Sequence, residues 1–299
     1  MKLYLAYFKK KPRRAYQKRF PNARINALIS YGRRERDEMA LLYEDRSLVS
    51  SLILDSGCWS LNQNRKKYQD LITIQGYSAF LRNFANKVDF YFNFDEDFSR
   101  DGFDTNLAHQ IRLEHEGFKP VPVIHDCYGP EVQYYIDRGY KMLAIGSGEL
   151  QFASLDEMHF IMEPFRKNNI KVHFLGRVDY EKLAKLPVYS CDSSSWTQAG
   201  TKSNYALFWN PARSGFDKTD KIFLTEDIFQ ESKGRHHTDH PFRRDFEEYL
   251  HREFGFYLEN LVGKGTEVLL NRQVVNIHYF LDLEAQVNKK HSELGFTFE

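Results

Sequence analysis

Apolar runs of strand type end, one after another, in acidic or small polar residues. Ser51-Leu-Ile-Leu leads into Asp55-Ser56-Gly57, and Phe90-Tyr-Phe-Asn-Phe leads into Asp95-Glu96-Asp97. Val121-Pro-Val-Ile leads into His125-Asp126, and Met142-Leu-Ala-Ile into Gly146-Ser147-Gly148-Glu149. Val172-His-Phe-Leu reaches Gly176, and Val188-Tyr-Ser-Cys reaches Asp192-Ser193-Ser194-Ser195. Helical stretches separate most of these runs. In an α/β barrel the C-terminal ends of the strands converge on one mouth, and catalytic groups come from several of them. The pattern therefore constrains both a fold and the place of its site.

The expected fold is a (β/α)8 TIM-type barrel, with a basic insertion after the first strand and a C-terminal helical extension. Strands are expected at residues 3–8, then ending at Asp55, then into Asp95. Further strands fall at 121–124, 142–145, 171–175 and 188–191, with 205–209 as the eighth and 221–224 as its competitor. Residues 9–46 read as a long basic connection, partly helical around 35–43. A helix at 105–116 would put Leu107, Ile111 and His115 on one face, with Gly117 as its stop. Pro130 suits a first helical turn, and Ser154-Leu-Asp-Glu157 is a capping-box pattern. The catalytic barrel is expected over residues 1–240, with 241–299 packed on it. An open doubly wound sheet is the alternative, but no GxGxxG or GxxxxGK[ST] loop follows the first strand.

The formal net charge is only +1, so overall charge announces no polyanion. The basic residues are unevenly placed: Lys9, Lys10, Lys11, Arg13, Arg14, Lys18 and Arg19 lie close together, interrupted by Pro12 and Tyr16. A loop of that composition, following a first strand, suits a phosphate backbone. The three cysteines, Cys58, Cys127 and Cys191, are too far apart for a metal motif or a disulfide framework. That favours a reducing, cytoplasmic setting, and no run approaches the roughly 20 apolar residues of a membrane span. No membrane partner is expected.

Paired carboxylates at strand ends are the usual equipment for cleaving a glycosidic bond. Asp55, Asp95 and Asp192 are the candidates; each could instead cap the helix that follows it. Cys191 is a rival nucleophile, but if Asp192 faces the mouth, strand alternation turns Cys191 outward. Trp196 and Trp209 fit the core or the mouth equally.

Asp55-Ser56-Gly57, Phe94-Asp95-Glu96, Ala144-Ile145-Gly146-Ser147 and Asp192 resemble, in order and spacing, the active-site motifs of the tRNA-guanine transglycosylase superfamily. The resemblance covers roughly residues 52–196. It implies a (β/α)8 barrel that exchanges guanine in nucleic acid for a 7-deazaguanine. By that resemblance Asp192 is the nucleophile that attacks C1′, and Asp55 is the general acid and base. Asp95 would bond the guanine edge, with Ser56 beside it. Gly146, Ser147 and Gly148 would supply the backbone that reads the base. His125 falls where the family often has a glutamine facing the base, and Trp59 where it has a stacking aromatic. Such an enzyme extrudes its target base from the stack.

The chain also departs from that family. No cysteine follows Cys191, so the structural zinc site has no ligands of the family's kind. The cluster His236-His237-His240 contains an i,i+4 pair that could bind metal, but it reads better as a solvated loop. Asp97 stands where the family commonly has cysteine, and Ser193-Ser194-Ser195-Trp196 replaces a proline-threonine-arginine stretch. These departures resemble the small zinc-less branch that places 7-deazaguanine derivatives in DNA. Expected partners are therefore nucleic acid, DNA ahead of tRNA, and a free 7-deazaguanine base; a homodimer is compatible with the sequence, and no cofactor is expected. A DNA glycosylase leaving an abasic site, as in defence against phage, is the first alternative. A tRNA enzyme and a non-catalytic nucleic-acid-binding barrel are the others. Arg243, Arg244 and Arg252 are expected to pack rather than to contact nucleic acid.

Overall fold

The computed structural model describes residues 1–33, 36–146, 148 and 152–298. Eight parallel strands alternate with helices in a (β/α)8 TIM-type barrel. They are β1 (Lys2–Ala6), β2 (Ile25–Ser30), β3 (Val49–Asp55), β4 (Phe90–Tyr91), β5 (Val123–Ile124), β6 (Met142–Ile145), β7 (Lys171–Phe174) and β8 (Ser190–Ser193). The sheet order is β4-β3-β2-β1-β8-β7-β6-β5. Its two ends meet through a parallel bridge between Phe92 and Val121. Asn93 N–H donates to Val121 O at 2.9 Å, and Val121 N–H to Tyr91 O at 2.8 Å.

Two strands differ from the sequence expectation. Ile25–Ser30 is a full barrel strand between β1 and β3, not part of a basic connection. It is buried on both faces, as parallel strands are, so it reads as an apolar run without alternation. The eighth strand is Ser190–Ser193, which pairs with β1. Tyr205–Trp209 (β9) and Thr219–Phe223 (β10) instead form a separate antiparallel hairpin. Because β2 supplies the missing strand, the motif at Asp192 moves from the seventh strand to the eighth.

The barrel interior is layered from alternate residues. Tyr4, Ala6, Leu28, Ile53, Phe92, Val121, Val123 and Ala144 form one buried cluster. Phe92 also packs on His173 of β7, with ring centroids 4.8 Å apart. Several helices start as their sequences suggest. Ser154 Oγ accepts from Glu157 N–H at 3.2 Å, and Pro130 opens Pro130–Asp137. Helix Phe103–His115 turns a different face inward from the one expected. Asn106, Gln110 and Leu113 are buried, and Ile111 is exposed. The two buried amides go inward because they satisfy backbone groups, a need that outweighs apolar periodicity.

Contacts divide the chain into two compact units. The first comprises Met1–Phe8, Arg24–Ser193 and His291–Glu299, and contains the barrel; the second comprises Lys9–Ala23 and Ser194–Lys290. The grouping thus differs from a division at 240/241: the segment after β1 belongs with the hairpin and the C-terminal helices. Within this second unit, Tyr16 Oη bonds His278 Nδ1 at 2.9 Å, and Phe20 packs edge-on against Phe254. Arg272 is fully buried and donates to the carbonyls of Leu261, Leu224 and Gly263 and to Asn204 Oδ1. Among the described residues no helix is long and apolar enough to cross a membrane.

Phe92 closes the β4–β5 seam and is fully buried. Phe92→Ala should cost about 3–5 kcal/mol, the usual range for emptying a buried aromatic site. Urea unfolding monitored by circular dichroism measures it; a loss under about 1 kcal/mol would show that the seam does not depend on this ring.

Candidate active site

Alternation carries inward-facing positions up to the strand ends. Ile53 is in the barrel cluster, so Asp55 two residues on shares its face; Val123 likewise leads to His125, and Ala144 to Gly146. Tyr4 faces inward and stands in register with Asp192, while Cys191 pairs with Leu3, which is not in the cluster. Cys191 is therefore a buried outward residue, as alternation predicts. The parallel strands present Asp55, Asp95, His125 and Asp192 at one end of the barrel.

Asp55 is held by its neighbours on β2 and in its own turn. Ser30 Oγ and Gly57 N–H both donate to Asp55 Oδ2 at 2.9 Å. Gly57 has φ +84°, and the loops after β2 and β3 touch there. A Cβ on Gly32 would lie 2.9 Å from Gly57 Cα, so neither position accepts a side chain without displacement. Burial pushes the Asp55 carboxyl up to about 7; the negative charges of Asp95 and, less strongly, Asp192 add to this, against the two hydrogen bonds. A carboxyl of this kind can hold or release a proton near neutral pH.

Asp95 is buried, with both oxygens occupied. Ser56 Oγ donates to Oδ1 at 3.0 Å, and His125 Nε2 lies 3.0 Å from Oδ2. Burial opposes the charged form of His125. The hydrogen bond to Asp95, with the charges of Asp95, Glu131 and Asp97, outweighs it and raises His125 above its ordinary value. The ring is wedged. Phe98 stacks on one face with centroids 4.6 Å apart, and a Cβ on Gly146 would fall 2.8 Å from Nδ1. The loop bearing Asp95 is clamped by Asn106, which donates to Asp97 O at 2.7 Å and accepts from Asp97 N–H at 3.1 Å.

Asp192 is held on one oxygen. Oδ1 accepts from Gly176 N–H at 2.8 Å and lies 3.3 Å from His173 Nε2. His173 is fully buried, and its Nδ1 lies 2.8 Å from Ser190 Oγ. A carboxylate only accepts, so Nε2 supplies the hydrogen of the Asp192 bond, and the Ser190 hydroxyl is free to donate to Nδ1. The sequence reading missed His173. Its signal was present: a histidine within an apolar run, Val172-His-Phe-Leu, that leads to a strand end.

The remaining predicted residues divide. Trp59, on the helix Cys58–Gln63, is more than half exposed. Gly148 is exposed, and Ser147 lies outside the described residues. The basic segment is not a loop: residues from Lys10 form the helix Lys10–Arg19, packed within the second unit. Arg13 is fully buried there and has no surface to offer a phosphate. Arg19 donates to Phe254 O and covers the Phe256 ring, while Lys9, Lys11, Arg14 and Lys18 are exposed and Lys10 partly so. Helix formation here follows from apolar anchors at Pro12 and Tyr16 in a segment otherwise dominated by charge.

His236, His237 and His240 are not a solvated loop. His236 and His240 are buried, His236 and His237 bond Thr225 O, and His240 bonds Lys221 O. Arg243, Arg244 and Arg252 pair with Glu247, Glu248 and Glu253. No family model and no curated protein sequence matches the chain.

Asp55 makes stability depend on pH. It titrates near 3.8 when unfolded and near 7 when folded, so the folded state binds the extra proton between these values. Its contribution is full at low pH and is lost as pH rises from about 4 to about 7. Between pH 5 and 8 the wild type should therefore lose more stability than Asp55→Asn does. Equal shifts of the two urea midpoints would contradict the raised carboxyl.

Proposed function

We propose that the barrel mouth cleaves the N-glycosidic bond of guanine in DNA and exchanges the base for a 7-deazaguanine. The observation that carries this reading is the gathering of Asp55, Asp95 and Asp192, with Asp55 pushed up to about 7 by burial and by the other two charges. One carboxyl fit to donate a proton and a second held in place to attack are what a displacement through a glycosyl-enzyme intermediate requires.

In this reading Asp192 attacks C1′ of the deoxyribose through its Oδ2, while Gly176 and His173 hold Oδ1. The C1′–N9 bond breaks, and its electron pair leaves with the purine. Protonated Asp55 gives its proton to the departing base. The incoming deazapurine then loses its N9 proton to the Asp55 carboxylate, attacks C1′ and releases Asp192. Asp95 and His125 line the base pocket. The second unit supports a polyanionic partner, since it carries more Lys and Arg than Asp and Glu.

The test uses duplex DNA, single-stranded DNA and tRNA, each labelled in guanine, with and without 7-cyano-7-deazaguanine. The expected result is release of label from DNA only when the deazapurine is present, with the deazapurine incorporated. Release without it, leaving an alkali-labile site, would replace exchange by excision; exchange in tRNA alone would reassign the polymer. No release from any substrate would refute the enzyme reading. Asp192→Ala should abolish exchange and leave DNA binding intact. His173→Ala should lower kcat by about 100-fold, the scale of a misplaced reacting group, with little change in the KM of the base. His173→Gln, which keeps a donor, should restore much of that loss; a Gln variant no better than Ala would remove His173 from a positioning role.

A further inference from the structure

The segments that follow four successive strands at the mouth of the barrel each carry an exposed aromatic ring. Trp59 follows β3, Phe98 follows β4, Tyr128 follows β5 and Phe152 follows β6. Their exposures are 56%, 36%, 52% and 87%. These strands are neighbours in the barrel, joined across β4 and β5 by the Phe92–Val121 bridge. The rings therefore follow one continuous half of the rim. The segment after Trp59 adds Arg65, Lys66 and Lys67, all exposed on the short helix Arg65–Tyr68.

A single exposed ring is ordinary on a protein surface, and one per segment is not a contiguous apolar patch of the kind that buries against a folded partner; what distinguishes these four is their succession along neighbouring strands. Rings spaced along a rim and accompanied by cations are the equipment for unpaired bases. Every base has a face that stacks, and the cations accompany the backbone. Duplex DNA hides those faces. Phe98 ties the rim to the pocket, because the ring that stacks on His125 is also partly exposed.

We infer that the segments after β3, β4 and β5 form a track for single-stranded nucleic acid, in which Trp59 and Tyr128 stack unpaired bases flanking the nucleotide at the pocket. This rests on the nucleic-acid reading above. The track favours a target that is already unpaired or locally opened, since flanking bases engaged by the rim cannot remain in a duplex. It assigns Trp59 to a flanking base rather than to the base being exchanged.

The test is fluorescence anisotropy of the full chain with a labelled 15-mer DNA, as single strand and as duplex, and with the RNA strand of the same sequence. The wild type should bind the single strand at least 10-fold more tightly than the duplex. Trp59→Ala and Tyr128→Ala should each weaken single-strand binding by about 5- to 150-fold, the equivalent of about 1–3 kcal/mol per stacked base. Duplex binding should stay unchanged in both. Trp59→Phe, which keeps a stacking face, should recover most of the loss, and unchanged thermal unfolding would show that the fold is intact. Single-strand binding equal to wild type in both Ala variants, or preference for duplex, would overturn the track. Exchange assayed in parallel separates the two ideas. Exchange that persists with no effect of the rim variants removes the track alone. Rim-dependent binding without any exchange removes the proposed reaction alone.

Discussion

The gathering of three carboxyls, Asp55, Asp95 and Asp192, at one barrel mouth is the constraint around which the upper half of the barrel is arranged. Burial, then the charge of Asp95 and, less strongly, that of Asp192, raise the cost of ionising Asp55. Each is answered by local donors. Ser30 and Gly57 serve Asp55, Ser56 and His125 serve Asp95, and Gly176 and His173 serve Asp192. The bonding differs among the three. Asp95 has both oxygens bonded, Asp192 has one oxygen held, and Asp55 remains the one pushed up to about 7. A raised carboxyl beside two others within one small space is the kind of arrangement in which a site can separate a proton donor from an anion.

Close packing supports that arrangement. Gly32 against Gly57 lets the turns after β2 and β3 approach, so that Ser30 reaches Asp55. Gly146 leaves room for the His125 ring, which in turn bonds Asp95. Asn106 and Gln110, buried on a helix, bond backbone groups next to the barrel: Asn106 clamps the loop after Asp95, and Gln110 Nε2 donates to Pro120 O at 2.9 Å. The site is thus positioned by strand ends and by the first turns after them.

Much of the barrel was legible because parallel strands are apolar runs that end abruptly in acidic or small polar residues. Asp55, Asp95, His125 and Asp192 were found that way, and the structure brings them to one end of the barrel. What escaped did so for physical reasons. Ile25–Ser30 is bracketed by arginines, so local charge masked a strand whose partners are distant in sequence. Tyr205–Trp209 has strand character but pairs with the next run, a choice made by tertiary contact and not by propensity. His173 carried no local mark of its role because its polar partners, Ser190 and Asp192, lie on the neighbouring strand. The basic segment looked like a loop until Pro12, Arg13 and Tyr16 were seen to be buried in a helix of the second unit.

The central claim is that Asp192 forms a bond to the sugar, and trapping that bond tests it most directly. The protein would be incubated with guanine-containing DNA, denatured without added deazapurine, digested and analysed by mass spectrometry. The account predicts a deoxyribose-linked DNA adduct on the peptide containing Asp192, absent from Asp192→Asn and discharged when 7-cyano-7-deazaguanine is supplied. An adduct on another residue, or turnover with no adduct under conditions where release is slow, would contradict it.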